Sequence, residues 1–260
     1  MEVAADAQTT SAGKWQEWVD RHQGSLLGLC VLAALLLRLH MLFAESFIDR
    51  DAVYYLDLAE KWSRADFASL MVADPRLHVL PMYYFFVKLA IQAGFAPLTG
   101  ALAVNLALAT ALVPVMHGCG RALFNSRGMG LLTAALTAAH PIFVEVSVQV
   151  FREDAMLLGL GVALWLAVKG EKKPHWWLGS GVGVAFAILS RYEALEALGA
   201  AGVYLGLNWA LGVAKWRGQI VKYACFLLGV ATGLALFSLV MGIPWRFYDV
   251  NFFNRVKGYL

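Results

Sequence analysis

Three short clusters of acids, arginines and aromatics interrupt a mostly apolar chain. They are Asp49-Arg50-Asp51 followed by Tyr54 and Tyr55, then Arg152-Glu153-Asp154, then Arg191-Tyr192-Glu193. Each adjoins a long apolar run. A carboxylate in such a place can take a proton from a hydroxyl, and an arginine fork matches a phosphate and offsets charge developing on it. Each cluster also has a plain structural reading. Asp51 is placed to cap a helix, Glu153 and Asp154 suit the positive start of one, Arg152 can pair with either acid, and Arg191 and Glu193 can pair with each other. His78 is the histidine of the same polar stretch that holds Asp51. It is more often a loop residue than a reacting one.

The 260-residue chain that positions these clusters is 60% hydrophobic and 15% charged, with mean hydropathy +0.63. A soluble domain is about half apolar and about a quarter charged. The excess falls in long blocks, so the composition predicts an all-α, multi-spanning membrane bundle. A net charge of +3 with no dense basic run argues against nucleic acid as partner. Cys30, Cys119 and Cys225 lie in or beside apolar segments without metal or redox spacing and read as small packing residues.

Apolar runs approaching ~20 residues predict spans at residues 25–43, 98–117, 129–143, 154–168, 176–190, 195–211 and 220–241. Segment 79–95 carries Lys88 and Gln92 four residues apart on one stripe, which marks an interfacial amphipathic helix rather than a span. The basic groups Lys14/Arg21, Arg121/Arg127, Lys169/Lys172/Lys173 and Lys215/Arg217/Lys222 then share one side, which the positive-inside bias makes cytoplasmic. The expected organisation is a disordered cytoplasmic tail (1–24), a membrane module of about seven spans (25–241) with a first outer loop at 44–97, and the start of a further outer loop (242–260). All three reactive clusters, with His78, His140 and Glu145, fall outside. Arg38, inside the first run near its outer end, is expected to snorkel outward. Trp245, Arg246 and Tyr248 read as an interfacial anchor.

Within the first outer loop, Tyr54, Leu58 and Trp62 share a helical stripe with Tyr55 and Ala59 beside it. Asp57 and Lys61, and Glu60 and Arg64, pair at i,i+4. These features predict a juxtamembrane helix with its aromatic side down and its paired charges in solvent. Asp51 has no such i+4 partner. Asp49-x-Asp51 is formally an Asp-x-Asp tripeptide, which in soluble glycosyltransferases accompanies a Rossmann-like sheet. No sheet pattern or glycine-rich phosphate loop occurs here.

In order and sidedness these motifs resemble the GT-C membrane glycosyltransferases, in the branch containing protein O-mannosyltransferases and lipid A aminoarabinose transferases. The resemblance rests on Asp51 with Tyr54, Tyr55 and Ala59 after the first helix and on the segment His78-Val-Leu-Pro81-Met-Tyr83-Tyr84. His140-Pro141 followed by Arg152-Glu153, and Ser190-Arg191-Tyr192-Glu193, complete it. It spans about residues 25–260 and implies transfer of a sugar from a polyprenyl (undecaprenyl or dolichyl) phosphate carrier to a glycan, lipid or protein acceptor, with inversion. The general base maps to Asp51. Many members carry a second acid directly after it where this chain has Ala52, so Asp49 stays open as an alternative base. Arg191, Glu193, Tyr192, Arg152, Glu153, Tyr55 and His78 are the expected substrate-binding residues. No metal ligand set is assigned and no cofactor is required, with a divalent ion left open. The expected setting is the bacterial inner membrane, active face to the periplasm, in contact with membrane lipid. Because such proteins usually continue through a longer loop and more spans, the chain is expected to be a fragment or a short form relying on a partner subunit. The competing reading is a non-catalytic scaffold or transporter-like protein, although its acids sit at the outer boundary rather than at the bilayer midplane.

Overall fold

Alanine- and leucine-rich runs satisfy their own backbone hydrogen bonds as helices, the economical solution in lipid. In the computed structural model the described residues, 2–44, 50–73 and 80–248, contain helices and no strand. The elements are α1 (Glu2–Ala44), α2 (Arg50–Arg64), α3 (Phe67–Ala73), α4 (Met82–Gln92), α5 (Pro97–Phe124), α6 (Arg127–Ala139) and α7 (Pro141–Ser147). They continue with α8 (Glu153–Gly170), α9 (Trp176–Ile188), α10 (Glu196–Ala210) and α11 (Trp216–Met241), and a 3-10 turn (Tyr192–Leu195) joins α9 to α10. Helix α1 takes in the tail read as disordered: the first apolar run is continued backwards to Glu2.

The helices pack as a row of neighbours, α1 against α6, α6 against α5, α5 against α8, α8 against α9, α9 against α11 and α11 against α10. The bundle has two chemically distinct ends. At one, Arg127 lies 3.4 Å from Asp20, the Gln23 amide meets the His117 ring at 2.8 Å, and Lys222 pairs with Glu171 at 2.7 Å. At the other, Arg38 donates to the Ala138 carbonyl, Arg191 pairs with Glu153, and the Met82 amide donates to the Leu189 carbonyl at 3.0 Å. Sites on α9 and α11 come so close that a Cβ at Gly181 or Gly229 would run into the main-chain carbonyl of Phe226 or Leu178, the small-residue contact typical of helices in lipid.

Length and composition make three described helical stretches able to cross a membrane: Gln16–Ala44, Pro97–Phe124 and Trp216–Met241. A fourth is the pair α6–α7, bent by 53° where Pro141 opens a new helix after His140. The expected count of about seven is therefore not reached on these criteria. Helix α8 has 18 residues but carries Glu153, Asp154 and Lys169 near its ends, while α9 and α10 have only 13 and 15 residues. At 1.5 Å per residue these last two are roughly 20–22 Å long, short of a ~30 Å hydrocarbon core. Helix α4, with 11 residues, is shorter still.

Helices α2, α3 and α4 cap the second end. The cap core contains Ala52, Leu58, Ala59, Trp62, Phe67, Tyr83, Tyr84 and Val87, and reaches the ends of the long helices through Ala101, Val150, Leu189, Met241 and Phe247. The polar stripe of α4 faces α2. Lys88 lies 5.2 Å from the Trp62 ring centroid, and the Gln92 amide donates to the Ser63 carbonyl at 3.3 Å. On α2 the pairs Lys61–Asp57 and Arg64–Glu60 form on the exposed face as expected. The aromatic stripe is rotated from the expected one: Leu58, Ala59 and Trp62 are buried, Tyr55 is half-buried, and Tyr54 is 42% exposed. The buried arc must include Ala52, because α4 packs over that side.

Candidate functional site

Asp51 stands in the first turn of α2, inside the helix rather than at its cap, and is exposed. Its charge suits the positive helix start. One turn on, on the same face, Tyr55 turns its ring toward α8, and the Arg152 guanidinium carbon lies 5.1 Å from the ring centroid. The other side of Tyr55 meets Tyr84 of α4, with centroids 5.4 Å apart. Tyr84 is fully buried and within electrostatic reach of Arg152 and Tyr55.

Arg191 closes the group from the α9–α10 turn. Its Nε and Nη2 fork onto the two carboxylate oxygens of Glu193 at 3.1 and 2.6 Å, and its Nη1 bonds Glu153 at the start of α8. The fork holds the Glu193 carboxyl down from its ordinary 4.5 to about 2, and the same bonds push the Arg191 cation further into its charged state. Arg191 also feels Tyr55 and Tyr84. Tyr192 packs against the cap core. So Tyr55, Arg152, Glu153, Arg191, Tyr192 and Glu193, drawn from three separate connections, meet at one end of the bundle. Asp51 is on the same helix as Tyr55. Asp49 and His78, the other two residues singled out in the sequence, lie outside the described residues.

The two arginines are unlike. Arg191 is committed to two carboxylates, whereas Arg152 has no ion pair among the described residues and leans on an aromatic face. Among the described residues no three His, Cys, Asp or Glu side chains are grouped so as to hold a metal ion.

Beneath the site is a feature the sequence reading missed. Arg38 does not snorkel; it is 0% exposed, and its Nη1 donates to the carbonyls of Ala34 at 3.0 Å and Ala138 at 3.3 Å. Asp154, 2% exposed, is within electrostatic reach of Arg38 and of the buried Tyr83. The remaining Arg38 nitrogens, one Asp154 oxygen and the Tyr83 and Tyr84 hydroxyls have no hydrogen-bond partner among the described residues. The signal was present: an Arg and an Asp each inside an apolar run call for one another, because neither is cheap to bury alone. Packing of α6 over α1 denies Arg38 its route to the interface. Similarly, Tyr248 is no interfacial anchor. It is buried in the cap and hydrogen-bonds Ser238, while Trp245 is exposed.

The sequence profile of a family described as dolichyl-phosphate-mannose-protein mannosyltransferase matches residues 75–243. That stretch takes in α4 to α11, with Arg152, Glu153 and the Arg191 turn, and begins after α2. Comparisons with curated proteins and with solved structures give no match.

Proposed function

The chain belongs to the dolichyl-phosphate-mannose-protein mannosyltransferase family of GT-C-type membrane glycosyltransferases, and on that premise we propose that it moves a sugar from a polyprenyl phosphate to an acceptor hydroxyl at the outer membrane face. Asp51 takes the proton of the acceptor hydroxyl. The acceptor oxygen then bonds to the anomeric carbon from the side opposite the phosphate. The carbon–oxygen bond to the phosphate breaks, its electron pair leaves with the phosphate, and the sugar carbon is inverted. Arg152 offsets the charge that gathers on the departing phosphate. Arg191, already forked to Glu193 and Glu153, holds the α9–α10 turn against the start of α8 and so fixes Arg152 beside Tyr55. Asp49 is the alternative base.

The observation that carries this reading is the meeting of Arg152, Arg191 and Tyr55 at the capped end of the bundle, one turn from Asp51. A lipid-linked donor must be met there, where charged groups border the apolar core. The outward orientation is supported by the basic clusters at the opposite end, which the positive-inside bias assigns to the cytoplasm. Seven crossings, with α8, α9 and α10 as short spans inside the bundle, follow from this orientation. A bacterial inner membrane with the site facing the periplasm is the proposed setting, and the acceptor is a glycan, lipid or protein hydroxyl.

The test is transfer of radiolabel from a panel of polyprenyl-phosphate sugars by membranes containing the chain. Transfer with any member that is lost in Asp51→Asn supports the reading. Undiminished transfer in Asp51→Asn removes Asp51 as base and moves the assignment to Asp49.

A further inference from the structure

A cavity of about 700 Å³ opens between α8 and α10 and reaches Glu171 and Lys172 at the end of the bundle opposite this site. Leu160, Ala163 and Ala167 form one wall, Ala197, Ala201 and Tyr204 the other. The floor is Trp177, Ser180 and Val184 of α9, at helical spacing, with Phe226 of α11 behind. From Leu160 to Lys172 the groove follows α8 for about 18 Å at 1.5 Å per residue. That is close to half of a ~30 Å hydrocarbon core, the depth of one leaflet.

The groove ends in charge. Glu171 and Lys172 both line its mouth. Glu171 is already paired with Lys222 at 2.7 Å. Lys172 and the neighbouring Lys173 are exposed and have no ion pair among the described residues. Lys169 lies 4.0 Å from the Trp165 ring centroid at the same level. An apolar slot one leaflet deep, with two uncommitted ammonium groups at its rim, has the chemistry of a single lipid with an anionic headgroup.

We propose that this groove is a binding site for one acidic glycerophospholipid, an acyl chain lying between α8 and α10 and the headgroup phosphate at Lys172 and Lys173. The groove shares no lining residue with the cluster around Arg152 and Arg191 and does not depend on the transferase reading. The bound chain fills the gap between the two helices, so it also braces α10.

Native mass spectrometry of the detergent-purified chain, titrated with phosphatidylglycerol or phosphatidylcholine, tests this. The wild type should hold one phosphatidylglycerol and bind it about an order of magnitude more tightly than phosphatidylcholine, as expected for two lysines at a lipid headgroup. The Lys172→Gln/Lys173→Gln double variant should bind the two lipids alike, still one per chain. Ala200→Trp, which puts a large ring into the groove from an exposed position of its lining, should lose both. No preference in the wild type, an unchanged preference in the lysine variant, or undiminished binding in Ala200→Trp would overturn the proposal. The lysine variant changes only surface side chains, so the test stands even if the tryptophan variant does not fold.

Discussion

Arg191 and Glu153 are joined by an ion pair across 38 residues of chain, and the same guanidinium forks onto Glu193 two residues away. The turn between α9 and α10 is thereby pinned to the start of α8, and Arg152, the residue before Glu153, is held beside Tyr55. If this is the frame of the site, Arg191→Lys should not replace Arg191, because an ammonium cannot serve three oxygens in a fixed fork. Sugar transfer should fall roughly tenfold or more in both Arg191→Ala and Arg191→Lys. Unfolding in detergent should shift by about 1 kcal/mol or less, since Glu193 is half exposed and such pairs are screened. Full activity in the lysine variant would assign Arg191 to packing alone.

Asp51→Asn keeps the shape of an exposed first-turn residue and removes only its basicity. Transfer should drop roughly a hundred- to ten-thousand-fold, while the unfolding midpoint moves by less than about 0.5 kcal/mol equivalent. A loss of activity accompanied by a comparable loss of folded protein would point to a structural role.

The depressed Glu193 carboxyl fixes a direction for acid sensitivity. Its folded-state value, about 2, is below its ordinary 4.5. The native state therefore holds fewer protons than the unfolded one, and the stabilisation is complete above about 4.5 and lost as pH falls toward about 2. Comparing thermal midpoints of wild type and Glu193→Gln through that window should show the wild-type advantage shrinking on acidification. A constant difference would mean that the fork does not contribute to stability.

Arg38 and Asp154 should behave as a buried pair. Arg38→Met or Asp154→Asn alone leaves one charged partner uncompensated and should cost about 3–5 kcal/mol, whereas the double variant should recover much of that. Additive losses in the double-variant cycle, measured by denaturant or thermal unfolding, would show that the two charges do not interact.

Gly181→Leu should separate α9 from α11, because its side chain would meet the Phe226 carbonyl on the facing helix. The expected cost is about 1–3 kcal/mol or more. Gly199→Leu, at a position with nothing nearby to strike, is the matched control and should be near neutral. Equal effects at the two sites would rule out close packing as the cause.

Much of this architecture is written locally. The i,i+4 pairs of α2 depend on neighbours a few residues away and form as the spacing says, whereas the run 129–143 expected as one span is broken before Pro141. The gathering of Arg152-Glu153 and Arg191-Tyr192-Glu193 at one end follows from the alternation of apolar runs and basic loops. What failed were statements about which neighbour a side chain would meet. Tyr54 is turned out because α4 covers the opposite arc of α2.

The sequence by itself therefore determined the all-helical class, the two ends of the bundle and the company of charged residues at each, since apolar length and charge placement act along the chain. Only the tertiary structure decided that Arg191 is held by two carboxylates while Arg152 lies against Tyr55, and that Arg38 is sealed against α6 within reach of Asp154. Those outcomes depend on how helices far apart in sequence rotate to bury their apolar arcs. That rotation is set by packing summed over the whole bundle, and no local spacing encodes it.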